Sequence, residues 1–191
     1  MKKIQMIIML GFLLGVCTGC TNYAKEYSKN TLVVKPSGTL IEIAIENYKD
    51  SKVKAEDLVA YVDKQVEDYN KESGKGHVKK KQLLTEDMSN VKLVLRYKSI
   101  DDYNGFNALT CSLKNYSEVE DDVLSGSFTD ADGKSVKKSK FKDAEKAKVL
   151  VISEPTDIVL KGDILYYNKE VTVKKGIITA SGKKDAVIIY K

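Results

Sequence analysis

Two hydrophobic periods alternate along the chain. Leu32, Val33 and Val34 run into Lys35-Pro36-Ser37-Gly38, and Ile41, Ile43 and Ile45 then alternate with Glu42, Ala44 and Glu46. A proline and a glycine between two such runs mark a turn, so this stretch predicts a β-hairpin with the isoleucines on its one buried face. From Ala55 the period changes. Leu58, Val59, Val62, Val66 and Tyr69 fall on one helical side and Gly74 offers a stop, which predicts an amphipathic helix over about 55–72 that covers the hairpin. Residues 78–85 and 91–97 predict a second strand pair, with Val91, Leu93, Leu95 and Tyr97 inward. Ser99 then stands as a cap before Ile100, Tyr103 and Phe106, the spacing of a short helix, and 113–121 reads as a further turn or two of helix.

Phe128 and Val136 flank Asp130-Ala131-Asp132-Gly133-Lys134, and an Asp-Gly pair favours a hairpin. The last forty residues hold strand-like runs at 149–152, 157–160, 164–167, 171–173, 177–180 and 186–190, punctuated by Gly162, Gly176 and Gly182. Connections this short suit antiparallel pairing, because parallel strands need long crossovers. The expected fold class is therefore α+β, predominantly antiparallel sheet, with one long amphipathic helix and one or two short ones.

One segment departs from this pattern. Residues 4–16 carry a single polar side chain, Gln5, behind Lys2 and Lys3, and the small residues Thr18 and Gly19 follow. This is the layout of a signal peptide, and the run is short of the about 20 residues a permanent span needs. Cys17-Thr18-Gly19-Cys20 resembles the lipobox of bacterial lipoprotein precursors, with small residues ahead of the cysteine that takes the lipid; Cys17 stands where Leu is commoner. The resemblance implies a leader over 1–19 and lipidation at Cys20; the lack of apolar periodicity ahead of Leu32 suggests a lipid-anchored tether over 20–30, and the absence of a repeat or composition break beyond it suggests one globular domain over 31–191. The resemblance also implies residence on the extracytoplasmic face of the cell membrane, since two acyl chains make a stable anchor where one is marginal. In layout and texture the whole chain looks like the small lipoproteins of Gram-positive bacteria of the clostridial type, a likeness that carries no activity with it. The competing reading is a cleaved secretory signal with an incidental cysteine.

Processing at Cys20 removes two lysines, leaving 30 Lys and Arg against 27 acids, a net charge of +3. That bias and an exported location argue against nucleic acid as a partner. Lys75, Lys79, Lys80 and Lys81 form one basic group, and Lys134, Lys137, Lys138, Lys140 and Lys142 another. These read as solvated faces, with anionic wall polymer, lipid headgroups or an envelope protein as the partners they would suit. Cys111 is the remaining thiol, in an apolar-leaning stretch, and reads as a packed small hydrophobe.

The chemical motifs are few. One histidine, His77, argues against zinc chemistry and no cofactor is expected. Asp130 and Asp132 hint at a calcium loop, but an EF-hand needs Gly at its sixth position and Glu at its twelfth, where this chain has Ser135 and Phe141. No G-x-S-x-G, P-loop or G-x-G-x-x-G occurs. Glu118, Glu120, Asp121 and Asp122 cluster, and paired carboxylates serve glycoside hydrolysis. Two functions remain: a non-enzymatic binding or structural module at the envelope, or an envelope hydrolase using Glu118 and Glu120. A buried carboxylate facing another would favour the hydrolase; an exposed strand edge or apolar patch would favour the module.

Overall fold

A computed structural model describes residues 22–174 and 176–191, so the expected leader over 1–19, Cys17 and the expected lipidation position Cys20 lie outside the described residues. In chain order the first elements are α1 (Tyr23–Glu26), β1 (Thr31–Val34), β2 (Leu40–Glu46), α2 (Ala55–Ser73), β3 (Val78–Leu84), β4 (Val91–Tyr97) and α3 (Ile100–Asn107). They are followed by β5 (Ser112–Asn115), β6 (Ser127–Asp130), β7 (Ser135–Lys137), β8 (Lys148–Ile152), β9 (Pro155–Leu160), β10 (Ile164–Asn168), β11 (Val171–Lys174), β12 (Ile177–Ser181) and β13 (Ala186–Tyr190). The fold is mixed α+β, with two sheets.

The larger sheet has the order β11-β12-β9-β1-β2-β4-β3 and the smaller β5-β8-β13-β10-β6-β7. Hairpins join β1 to β2, β3 to β4, β6 to β7 and β11 to β12; the other pairings are antiparallel too, except that β9 returns from 121 residues downstream to lie parallel to β1, Leu32 beside Ile158. Between β1 and β2 the Lys35 amide donates to the Thr39 carbonyl at 2.9 Å, and Gly38 takes φ +82°. This turn holds Thr31 opposite Ile43 and Val34 opposite Leu40.

The inner face of the larger sheet is covered in two halves. Leu32, Ile158, Ile178 and Ala180 meet Leu150, Ile152, Ala186 and Ile188 of the smaller sheet, while Val66 and Tyr69 of α2 and Tyr103 and Phe106 of α3 pack into the same core at the β4 and β3 end. The smaller sheet's other face, Val149, Val151, Val187 and Ile189, lies under Leu124, Ala147 and Phe141 of the connecting loops. α2 ends where Gly74 takes φ +108° and its amide reaches the Asn70 carbonyl.

Three expectations meet a different outcome. The β1–β2 hairpin is buried on both faces: Ile41, Ile43 and Val33 pack outward under Ala24 of α1, so Glu42, read as solvent-facing, points into the interior. Residues 112–115 are strand rather than helix, paired with β8, and only Tyr116–Glu118 forms a turn of 3-10 helix. Residues 22–30, read as tether, are held on the sheet from Asn22 onward. Ala24 is 1% exposed, and the Lys92 ammonium donates to the carbonyls of Ala24 and Tyr27 at 2.9 Å each. The Gln82 side chain accepts from the Ala24 amide and donates to Asn22, and Asn30 accepts from the Ile45 amide at 2.8 Å. An apolar outer face needs a cover, and this short segment supplies it.

Candidate functional site

Where the smaller sheet gives way to α3, polar side chains enter the core. Tyr97 donates its hydroxyl to Glu42, Asn107 donates to the Tyr97 oxygen at 3.1 Å, and Tyr103 donates to Glu154 in the β8–β9 connection. Burial pushes the Glu42 carboxyl above its ordinary range, against the pull of the Tyr97 and Asn107 hydrogen bonds. Burial, and then the Glu42 charge, push Glu154 up to about 7. Burial also drives the Tyr97 phenol up, with the Glu42 carboxylate adding to it. Two carboxylates in one poorly solvated place resist double ionisation, which adds to the upward push on Glu154. One oxygen of each carboxylate accepts from a tyrosine hydroxyl.

A second polar node joins three elements. His77, just before β3, places Nδ1 2.7 Å from Asp102 Oδ1 on α3, and Ser99, the N-cap of α3, donates to the other oxygen at 2.8 Å. A carboxylate only accepts, so Nδ1 carries the proton. Tyr69 of α2 reaches the same carboxylate at 3.4 Å. Burial opposes ionisation of Asp102, but the bonds from His77 and Ser99 outweigh it and hold the carboxyl below its usual range. The set has the base and orienting acid of a hydrolytic triad, yet the Ser99 hydroxyl is spent on Asp102, not on the imidazole, so no nucleophile–base contact forms among these residues. It acts as a clamp between α2, β3 and α3.

Apart from an Asp121–Lys138 ion pair, the described residues singled out from the sequence are not gathered into one site. Cys20 lies outside the described residues. Glu118, Glu120, Asp121 and Asp122 are exposed on the layer over the smaller sheet; Glu118 accepts from the Asn115 amide at 3.1 Å, and Asp121 pairs with Lys138. Asp130 folds its own turn by accepting from the amides of Asp132 and Lys134. Cys111 is buried at 4% exposure against Ser153. In the first lysine group Lys80 pairs with Asp63 of α2, and among the described residues no group of three or more His, Cys, Asp or Glu side chains has the arrangement of a metal centre. The sequence reading missed Glu42 and Glu154. Glu42 sits in an alternating strand that implies one wet face, and Glu154 precedes a proline that reads as a breaker.

An open groove of about 1180 Å³ lies on the β9–β12 end of the larger sheet. Val159 and Ile177 are 36% and 54% exposed in it, Tyr27 and Tyr167 supply rings, and Glu26, Lys29, Asp132, Asp157 and Asp163 also line it. A smaller hollow of about 220 Å³ shares Glu26, Tyr27 and Val159 with it and adds Tyr23, Lys35 and Lys161. The groove thus adjoins α1, the first described helix after the cysteine that would be lipidated. Among the described residues no helix is long and apolar enough to cross a membrane. Comparison with protein-family models, with curated proteins and with solved structures gives no match.

Proposed function

We propose that the chain is a lipoprotein precursor, cleaved before Cys20 and anchored by lipid on that residue. Its α+β domain serves as a non-enzymatic binding or structural module on the extracytoplasmic face of the cell membrane. The observation that carries the anchoring is the coincidence, within twenty residues, of Lys2 and Lys3, a thirteen-residue apolar run and Cys17-Thr18-Gly19-Cys20. The groove beside α1, lined by apolar as well as polar side chains, supports binding over turnover, as ligand sites are concave and mostly apolar. In this reading α2 is an amphipathic cover, its Val62, Val66 and Tyr69 side closing the core and its charged side staying wet.

The test is fractionation of cells making the wild type and Cys20→Ser. Wild type stays with the membrane and the variant appears in the medium or in the soluble fraction; equal retention of the variant overturns anchoring at Cys20. A second reading moves the hydrolase from Glu118 and Glu120 to Glu42 and Glu154, two half-buried carboxylates that share one poorly solvated place. Release of soluble sugar from wall polymers by the purified protein, lost in Glu154→Gln, would establish it; no release, or release that survives the substitution, removes it.

A further inference from the structure

We propose that the face of the larger sheet bearing α1 is a membrane-docking surface, seated on the headgroups of anionic phospholipids; the proposal rests on lipidation at Cys20. Two residue steps separate Cys20 from Asn22, a span of at most about 7 Å between their Cα atoms. Asn22 is no free tether end. Its side chain accepts from Gln82 of β3, its carbonyl opens α1, and Ala24 and Tyr27 are gripped by Lys92 of β4. An acylated cysteine buries its chains in the bilayer, so a segment fixed to the sheet this close to it brings the outer face to the headgroup level and prevents the domain from swinging away.

The chemistry of that face suits the interface. Tyr23 and Tyr27 stack with ring centroids 6.4 Å apart, and Lys35 lies over the Tyr23 ring at 5.4 Å. Tyrosine is at home at the boundary between hydrocarbon and water, one end apolar and the other wet. Lys25, Lys29 and Lys161 are exposed around the pair and Lys35 joins them, with Glu26 and Asp157 on the same side and Asp132 and Asp163 lining the adjoining groove. Val159 and Ile177, exposed on the same side, give the apolar patch a place against the acyl boundary. Basic side chains within a Debye length of an anionic leaflet are drawn to it.

The experiment uses the mature lipidated chain in vesicles of one-third phosphatidylglycerol in phosphatidylcholine, with a fluorophore on Ser28→Cys or, on the far layer, Glu120→Cys. Buried Cys111 stays unlabelled. A headgroup spin-labelled lipid serves as quencher, and mass spectrometry of the same sample reads the lipid on Cys20. Quenching at Ser28→Cys at least about threefold that at Glu120→Cys, reduced by Lys25→Glu with Lys29→Glu, is the expected result, short-range contact and charge both being tested. A lipidated, vesicle-bound chain with equal quenching at the two sites overturns the docking face and leaves the anchor standing. Quenching that the charge reversals do not change overturns the choice of anionic headgroups. A chain without lipid on Cys20 overturns the anchor and the docking face together.

Discussion

Replacing Glu154 by Gln should stabilise the protein at pH 8 and leave it unchanged near pH 4. Folding raises this carboxyl from 4.5 to about 7, so between those values the folded state holds a proton that the unfolded state releases. Stability then falls as pH climbs through the window and is level above it. The shift corresponds to about 3.4 kcal/mol at 1.36 kcal/mol per unit. Water still reaches the half-buried Glu154 and Tyr103 donates to it, which together leave about 1–2 kcal/mol. Gln keeps the acceptor that Tyr103 uses and removes both the charge and its repulsion by Glu42. Urea unfolding followed by circular dichroism at pH 4 and pH 8 reads the difference, and about 1–2 kcal/mol corresponds to roughly 2–8 °C in Tm for a domain of this size. A variant that is neutral or less stable at pH 8, or a gain of the same size at both pH values, refutes the reasoning.

Asp102→Asn should cost about 2 kcal/mol at neutral pH, because it weakens the clamp to His77 and Ser99. A carboxyl held low in the fold contributes stability above about pH 4 that is lost as pH falls through its lowered value, so acid titration of the variant should show a shallower decline there; an unchanged acid limb counts against the clamp. Asn70→Ala should cost about 1–2 kcal/mol in urea unfolding, since the Asn70 amide serves both the N–H and the carbonyl of Val78 at 3.0 and 2.8 Å. Gly182→Ala should lower Tm, as Gly182 has φ +67° and a Cβ there would stand 2.4 Å from Pro155 Cδ; a Tm equal to wild type contradicts the close approach. In the folded protein the Cys111 thiol should resist an aromatic disulfide reagent and react fully in denaturant, with fast native reaction placing it at the surface instead.

Much of the architecture was legible where pattern and punctuation coincide. The Asp-Gly turn, with Phe128 opposite Val136, and the Ser99 cap of α3 follow from local chemistry alone. What escaped depends on partners distant in the chain. The isoleucines of β2 announce one buried face, but nothing near them says that α1 will take that face and the smaller sheet and α3 the other, which buries Glu42. The parallel β1–β9 pair is equally silent, because register across so long a separation is set by packing and not by any turn. Residues 22–30 lack periodicity because a four-residue helix needs only one buried side chain, Ala24. The acidic cluster at 118–122 drew notice by its density, yet its side chains stand exposed; Glu42 and Glu154 carry no such local signal, because it is the fold that draws them into the interior and pushes their carboxyls up.

Intact mass analysis of the protein isolated from its native membranes tests the anchored reading most directly. The account predicts an amino-terminal peptide that begins at Cys20 and carries a diacylglyceryl adduct. A peptide that begins at Met1, or one that contains Cys20 without lipid, contradicts it.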